Sequence, residues 1–229
     1  MKIPQPLLVT KGRVFVDYKN QTFFGYRVAL GKTLTLTGFN LFEGDIRFDL
    51  IDRFNKIHSL IGVLFEKYGR QLQLTIPASL PPGQYVLRTY AKGFKEPVCL
   101  RVNVLKDDQV RPTIGTLVTQ TASEASPCSI MEPVAAQRGI ALFFTSTLEK
   151  SVLDKLGQHA ALKLVSVSSG ASYSGSVVAY DYANSVFPGS FTIPTIVPPG
   201  LFTATLQVLD MKNNVVDESE PYGRLVQIN

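Results

Sequence analysis

The chain has no tryptophan, two cysteines, two histidines and three methionines among its 229 residues. Each shortage removes a class of chemistry. Without Trp, a sugar-stacking platform lacks the large ring that such platforms commonly use. The histidines, His58 and His159, stand alone, with no Cys, His, Asp or Glu at a metal-ligand spacing. Each is expected beside a loop or a helix end, as a solvated side chain and not as a ligand or general base. No G-x-S-x-G occurs, and Ser172-Tyr173-Ser174-Gly175-Ser176 reads as a Ser-rich loop, not a nucleophile turn. No Gly-rich phosphate loop opens a helix. The sequence therefore predicts no catalytic, cofactor-binding or metal-binding residue, and no hydrolase or transferase activity.

Charge is sparse as well. Asp, Glu, Lys and Arg make up 18% of the chain, below the ~25% usual for globular proteins. Glu43, Asp45, Asp49 and Asp52 cluster, but without the alternating acidic loop and Gly turn of a calcium site. They read as the solvated face of a strand and the turn after it. Asn20-Gln21-Thr22 is a formal glycan sequon, meaningful only in a secreted eukaryotic protein. No apolar run approaches the ~18 residues of a spanning helix. The start, MKIPQPLLVTKGR, has one early Lys and no apolar stretch of signal length, so no secretory leader is expected. Cys99 and Cys128 fall on either side of the expected domain boundary, where the usual intradomain sandwich disulfide cannot form. They are read as free thiols of a reducing compartment, with an interdomain clip as the alternative.

The net charge of +5 is unevenly held. Residues 1–108 carry 16 Lys/Arg and 9 Asp/Glu; residues 109–229 carry 7 and 9. Such asymmetry can orient a molecule on an acidic surface or favour head-to-tail contacts between copies. It equally suits an ordinary solvated surface.

What is present is strand pattern. Thr22–Val28, Gly31–Asn40, Ile46–Leu50, Leu72–Ile76 and Val98–Val104 alternate or carry β-branched and aromatic residues between turn signals. In the second, third and fifth, Leu34 and Leu36, then Ile46, Phe48 and Leu50, then Leu100, Val102 and Val104 are expected inward, with Asp49 and Cys99 on opposite faces. Leu60–Phe65 is a nearly continuous apolar run. Lys106–Pro112 is charged, carries a Pro and separates two complete strand sets. Beyond it come Gly115–Thr119, a Ser/Ala/Pro-rich loop at Thr121–Pro133, Gly139–Thr145, Ala161–Val167 (where Val165 and Val167 break phase), Val177–Tyr182 and a final strand, Arg224–Ile228. Ser151–His159 is the one helical piece, with Val152, Leu153 and Leu156 at helical spacing.

One stretch occurs twice. Leu74–Tyr90 reads LTIPASLPPGQYVLRTY and Phe191–Val208 reads FTIPTIVPPGLFTATLQV. Pro77 and Pro194 cannot donate to a ladder and stop the strand. Pro82-Gly83 and Pro199-Gly200 turn the chain. Tyr85 and Phe202 then lead strands whose alternate residues point inward, and both rings are expected to be buried. Thr75 and Thr192 stand 117 positions apart, about one all-β domain. The expected fold is all-β: two tandem immunoglobulin-like β-sandwiches, a basic one over residues 1–107 and one over 112–229 with a short helix.

Gly31, Gly38, Phe39 and Asn40, followed by TIP and PPG-x-Y, resemble the bacterial immunoglobulin-like modules of TIG type over about 60 residues of the first domain. The second copy keeps TIP and PPG but has Thr145-Ser146-Thr147 in place of Thr37-Gly38-Phe39. Such modules are similar to those of surface proteins, enzyme accessory domains and phage virions. The resemblance implies a non-enzymatic structural or interaction protein without cofactors. A tandem sandwich with no leader and unpaired cysteines is similar to virion proteins of tailed phages, assembled in the host cytoplasm as capsid decoration or tail components. The alternative is a bacterial cell-surface adhesin or carbohydrate-binding module. Expected partners are capsid or tail proteins, or copies of the chain itself, without nucleic acid or membrane. Two aromatic groups offer binding surfaces: Phe23, Phe24 and Tyr26, and Tyr180, Tyr182 and Phe187.

Overall fold

A computed structural model describes residues 7–9, 13–16, 22–39, 46–64, 71–91, 97–107, 112–119, 132–147, 159–179, 181, 183 and 186–229. Among these, every regular element is a strand. The chain packs as two compact units, one drawn mainly from residues 24–108 and the other mainly from 131–229.

The first unit has two sheets. One runs β1 (Leu7–Val9), β4 (Thr33–Phe39), β8 (Gln71–Thr75), β7 (Gly62–Leu64). The other runs β2 (Arg13–Val16), β3 (Thr22–Ala29), β10 (Val98–Leu105), β9 (Gly83–Ala91), β5 (Ile46–Ile51), β6 (Ile57–Leu60); residues 14–23 of this sheet group with the second unit. β10 pairs with β3 in parallel, and β10 with β9, β9 with β5, β5 with β6, β1 with β4, β4 with β8 and β8 with β7 pair antiparallel. Alternate residues of each strand meet between the sheets: Leu34 and Leu74 from one, and Phe48, Leu50, Leu87 and Val102 from the other. This is a β-sandwich, held by apolar surface removed from water.

The second unit repeats the plan. Its smaller sheet is β11 (Thr113–Thr119), β13 (Ala141–Thr147), β17 (Val186–Thr192). Its larger sheet follows β12 (Val134–Ala136), β20 (Val226–Ile228), β18 (Gly200–Leu209), β14 (His159–Ser166), β15 (Ser172–Ser174). Strand β16 (Val178–Ala179) adds to β14, and β19 (Val215–Glu218) to β18. Here too one pair, β12 with β20, is parallel. Leu142, Phe144, Leu162, Phe191, Phe202 and Leu206 fill the core.

The repeated stretch forms the same corner in both units. The N–H of Gly31 donates to the carbonyl of Ile76 at 3.0 Å and that of Gly139 to Ile193 at 2.8 Å. Ile76 and Ile193 return bonds to Lys32 and Ile140. The N–H of Leu80 then closes on Pro77, and that of Val197 on Pro194, at 3.2 and 3.1 Å. Gly83 (φ 154°) and Gly200 (φ 145°) occupy backbone that side-chain-bearing residues rarely adopt. That is why PPG recurs.

Several expectations change. Leu60–Phe65 is not one strand: the chain leaves the six-stranded sheet after Leu60, passes an outward Ile61, and joins the other sheet at Gly62. Ala161–Val167 keeps phase, because β14 pairs with β18 without a break and Val167 lies beyond its end. Ser172–Ser174 is a strand, not a loop. Cys99 is not a free thiol but disulfide-bonded. Cys128, the only other cysteine of the chain, lies outside the described residues, as do residues 151–158 of the expected helix, Asn20-Gln21, Glu43 and Asp45.

Candidate interaction site

The reactive side chains of the first unit gather at its β5–β6 hairpin and the corner beside it. Asp52 opens the turn. Its Oδ1 accepts the N–H of Phe54 and of Lys56, both at 2.9 Å. Asn55 takes a left-handed conformation (φ 62°) that Asn tolerates better than most residues. The other Asp52 oxygen, Oδ2, sits 3.1 Å from His58 Nε2. The His58 ring meets Tyr85 edge-on, with centroids 6.1 Å apart. Tyr85, 3% exposed, donates its hydroxyl to the carbonyl of Pro81 at 2.6 Å. Burial pushes its phenol up to about 12; the Asp52 carboxylate adds to this and the Arg53 guanidinium opposes it. His58 is therefore not the solvated loop residue expected. It lies on a strand, largely covered, and its ring meets the corner ring of Tyr85 from two strands away, across β5.

The outer face of the same sheet carries a second group. Asp49 is 2% exposed, against the expectation of a solvated carboxylate. Register sets it between Ser59 on β6 and Arg88 on β9. Ser59 donates to Oδ1 at 2.8 Å, and Arg47 Nε reaches Oδ2 at 3.0 Å. A buried carboxylate needs this much compensation. Arg47 itself is 64% exposed. Its guanidinium lies 4.4 Å over the ring of Tyr90, whose hydroxyl accepts a bond from Arg88 at 3.2 Å. One carboxylate, two guanidinia and a phenol thus form a net-cationic patch on the sheet, held by its own contacts.

In the second unit the equivalent corner ring is Phe202, 1% exposed, met edge-on by Tyr173 of β15 with centroids again 6.1 Å apart. On the outer face, Lys163 Nζ lies 3.0 Å from Glu218, which also accepts the Thr205 hydroxyl at 2.6 Å. His159 starts β14, and the residues before it lie outside the described ones. Phe187 is wholly buried in the core and offers no surface; Tyr180 and Tyr182 lie outside the described residues. Tyr26 likewise belongs to the first core, so that aromatic strand does not present it; the side chains of Phe23 and Phe24 lie outside the described residues.

No group of three or more His, Cys, Asp or Glu side chains among the described residues could hold a metal ion. Sequence reading missed the lock on the hairpin turn. Its signal is D-x-x-N, at Asp52–Asn55 and again at Asp210–Asn213. Asp210 Oδ1 accepts the N–H groups of Lys212 and Asn214, and Asn213 has φ 64°.

No family model matches the chain, and no curated protein does. Similar solved structures include SGBP-B of the mixed-linkage glucan utilization locus of Bacteroides ovatus in complex with a heptasaccharide, at 15% identity, 88% of this chain, 43% of that chain and TM-score 0.30. A putative membrane-anchored protein from Corynebacterium diphtheriae is 11% identical over 88% of this chain and 51% of that one, with TM-score 0.31. A tetra-tandem repeat from the extending region of a large adhesion protein is 12% identical over 90% and 49%, with TM-score 0.27. The chain spans about half the length of these proteins or less. None is near enough to carry a functional argument.

Proposed function

We propose that the chain is a non-enzymatic interaction protein: two tandem immunoglobulin-like sandwiches that present rigid sheet surface to partners in a larger assembly. The observation that carries this reading is how its reactive groups are used. Asp52, His58 and Tyr85 are bound to one another and to a turn, while the cationic Arg47–Tyr90 patch is held open on the sheet face. The common strand plan and corner of the two units support the tandem reading.

The assembly we favour is a phage virion, with the chain as capsid decoration or a tail-associated component. The second reading is a cell-surface adhesin or carbohydrate-binding module. Cystine at Cys99 suits both, since virion and cell surfaces are oxidising. It removes the argument from unpaired thiols. Fractionation separates the two: co-sedimentation with capsids or tails supports the first, and saturable glycan binding supports the second. In either case the cationic patch implies contact that weakens between low salt and roughly 0.5 M, where exposed charges are screened beyond a few ångströms. Binding indifferent to salt and to Arg47→Glu would sink the patch as the contact.

A further inference from the structure

Two hairpins at open sheet edges share one turn and carry opposite charge. Among the described residues, the exposed large apolar side chains of the first unit are Phe54, Ile57 and Ile61. All three sit on or next to the β5–β6 hairpin, and β6 is the terminal strand of its sheet. The acids there are engaged: Asp49 is buried on Arg47 and Ser59, and Asp52 holds the turn and His58. With Arg47 set against Asp49, Lys56 is the exposed cation beside them, so the hairpin shows water an apolar ridge with a cation.

The β18–β19 hairpin of the second unit is its complement. Met211 is 72% exposed, and Val215 and Val216 about half. Around them stand Asp210, Asp217 and Glu220, with Lys212 the one cation from 210 to 220; Glu218 is paired with Lys163. Asn214 holds the Asp210 carboxyl below the usual carboxylate range by side-chain and backbone hydrogen bonds. Among the described residues β19 pairs only with β18, because β12 reaches no further than the β20 part of that edge.

We propose that these two hairpins are the two halves of one interface between copies of this chain: β5–β6 of one copy docks on β18–β19 of the next. Exposed apolar surface meets exposed apolar surface, and two edges with no further strand among the described residues lie side by side, the arrangement in which strand addition occurs. Charge sets the direction. Like hairpins would bring cation to cation or acid to acid, which opposes a two-fold contact. Unlike hairpins attract, so the contact is heterologous and propagates as a chain or closes as a ring. Both turns are locked by their Asp and Asn, which lowers the ordering cost of docking. One hairpin on one hairpin is a small interface of the weak class. It acts at the high local concentration of an assembly.

The proposal deepens the interaction reading by naming the chain itself as partner. Two variants test it, Ile57→Asp on one face and Val216→Lys on the other, each checked for an unchanged melting curve because both residues are exposed. In sedimentation equilibrium the wild-type mass should rise with concentration towards the millimolar range. Each variant alone should fall well below wild type at every concentration, since one of its faces is disabled. Mixed in equal amounts, the two should reach twice the monomer mass and stop, since each retains the face the other lacks. A wild type that stays monomeric, variants that associate like wild type, or a mixture that forms no heterodimer overturns the proposal. Co-sedimentation with particles, or glycan binding, is measured separately, so failure here leaves the proposed function standing.

Discussion

The Tyr85 hydroxyl donates to the carbonyl of Pro81, four residues back, at 2.6 Å, so the side chain that anchors the corner in the core also ties off its backbone. Phe202 holds the matching place in the second unit without a hydroxyl. Truncating Phe202 to Ala should therefore be a pure packing loss of roughly 3–5 kcal/mol. Tyr85→Phe should cost only about 1 kcal/mol, the net worth of one hydrogen bond. Thermal or urea unfolding measures both. A Phe202→Ala protein that melts within a degree or two of wild type would mean that the corner is not a structural anchor.

Alkali should probe the same residue. The folded-state phenol of Tyr85 is pushed up to about 12 from 10.0. Its stabilising contribution is thus complete below pH 10. It is lost as pH rises towards 12, because the unfolded chain ionises first. The slope is about 1.4 kcal/mol per pH unit for one proton. Tyr85→Phe should show a shallower decline over that window than wild type. Equal slopes would place the ring in water.

The hairpin turns give a backbone test. Asn213 has φ 64°. Asn213→Gly should be close to neutral, and Asn213→Val should lower stability by roughly 1–2 kcal/mol, the cost of left-handed backbone for a residue with a bulky Cβ. If Val is tolerated as well as Gly, the turn is not the one described.

Cystine at Cys99 predicts that the denatured, unreduced chain takes up no maleimide. Reductant should lower the melting point by an amount corresponding to ~2–4 kcal/mol, typical of a native disulfide. Two labelled thiols in the unreduced protein would refute the pairing.

Much of the architecture was legible because strand period and turn chemistry are local. Alternation at Leu34, Phe48, Leu50, Val102 and Val104 places each of them in the core. The PPG corners and the inward turn of Tyr85 and Phe202 follow from residues that the backbone there requires. Period also set which face of β5 carries Asp49. It could not say that Asp49 itself is covered, because that depends on the Ser59 hydroxyl that pairing brings from β6.

The rest was decided by distance in space. His58 reads as solvated until register lays β6 against β5 and brings its ring over the corner. Ile61 sits in an apolar run, yet it points to water because the chain changes sheets there. Cys99 reads as a free thiol when domains are drawn on a line, since a disulfide needs proximity and not sequence order. Composition and period determined that this chain folds as sheets with buried alternate residues. Which polar groups are locked together and which hairpins are left open came only from the pairing of strands remote in sequence, because local period sets which face a residue takes but not which distant strand lies beside it.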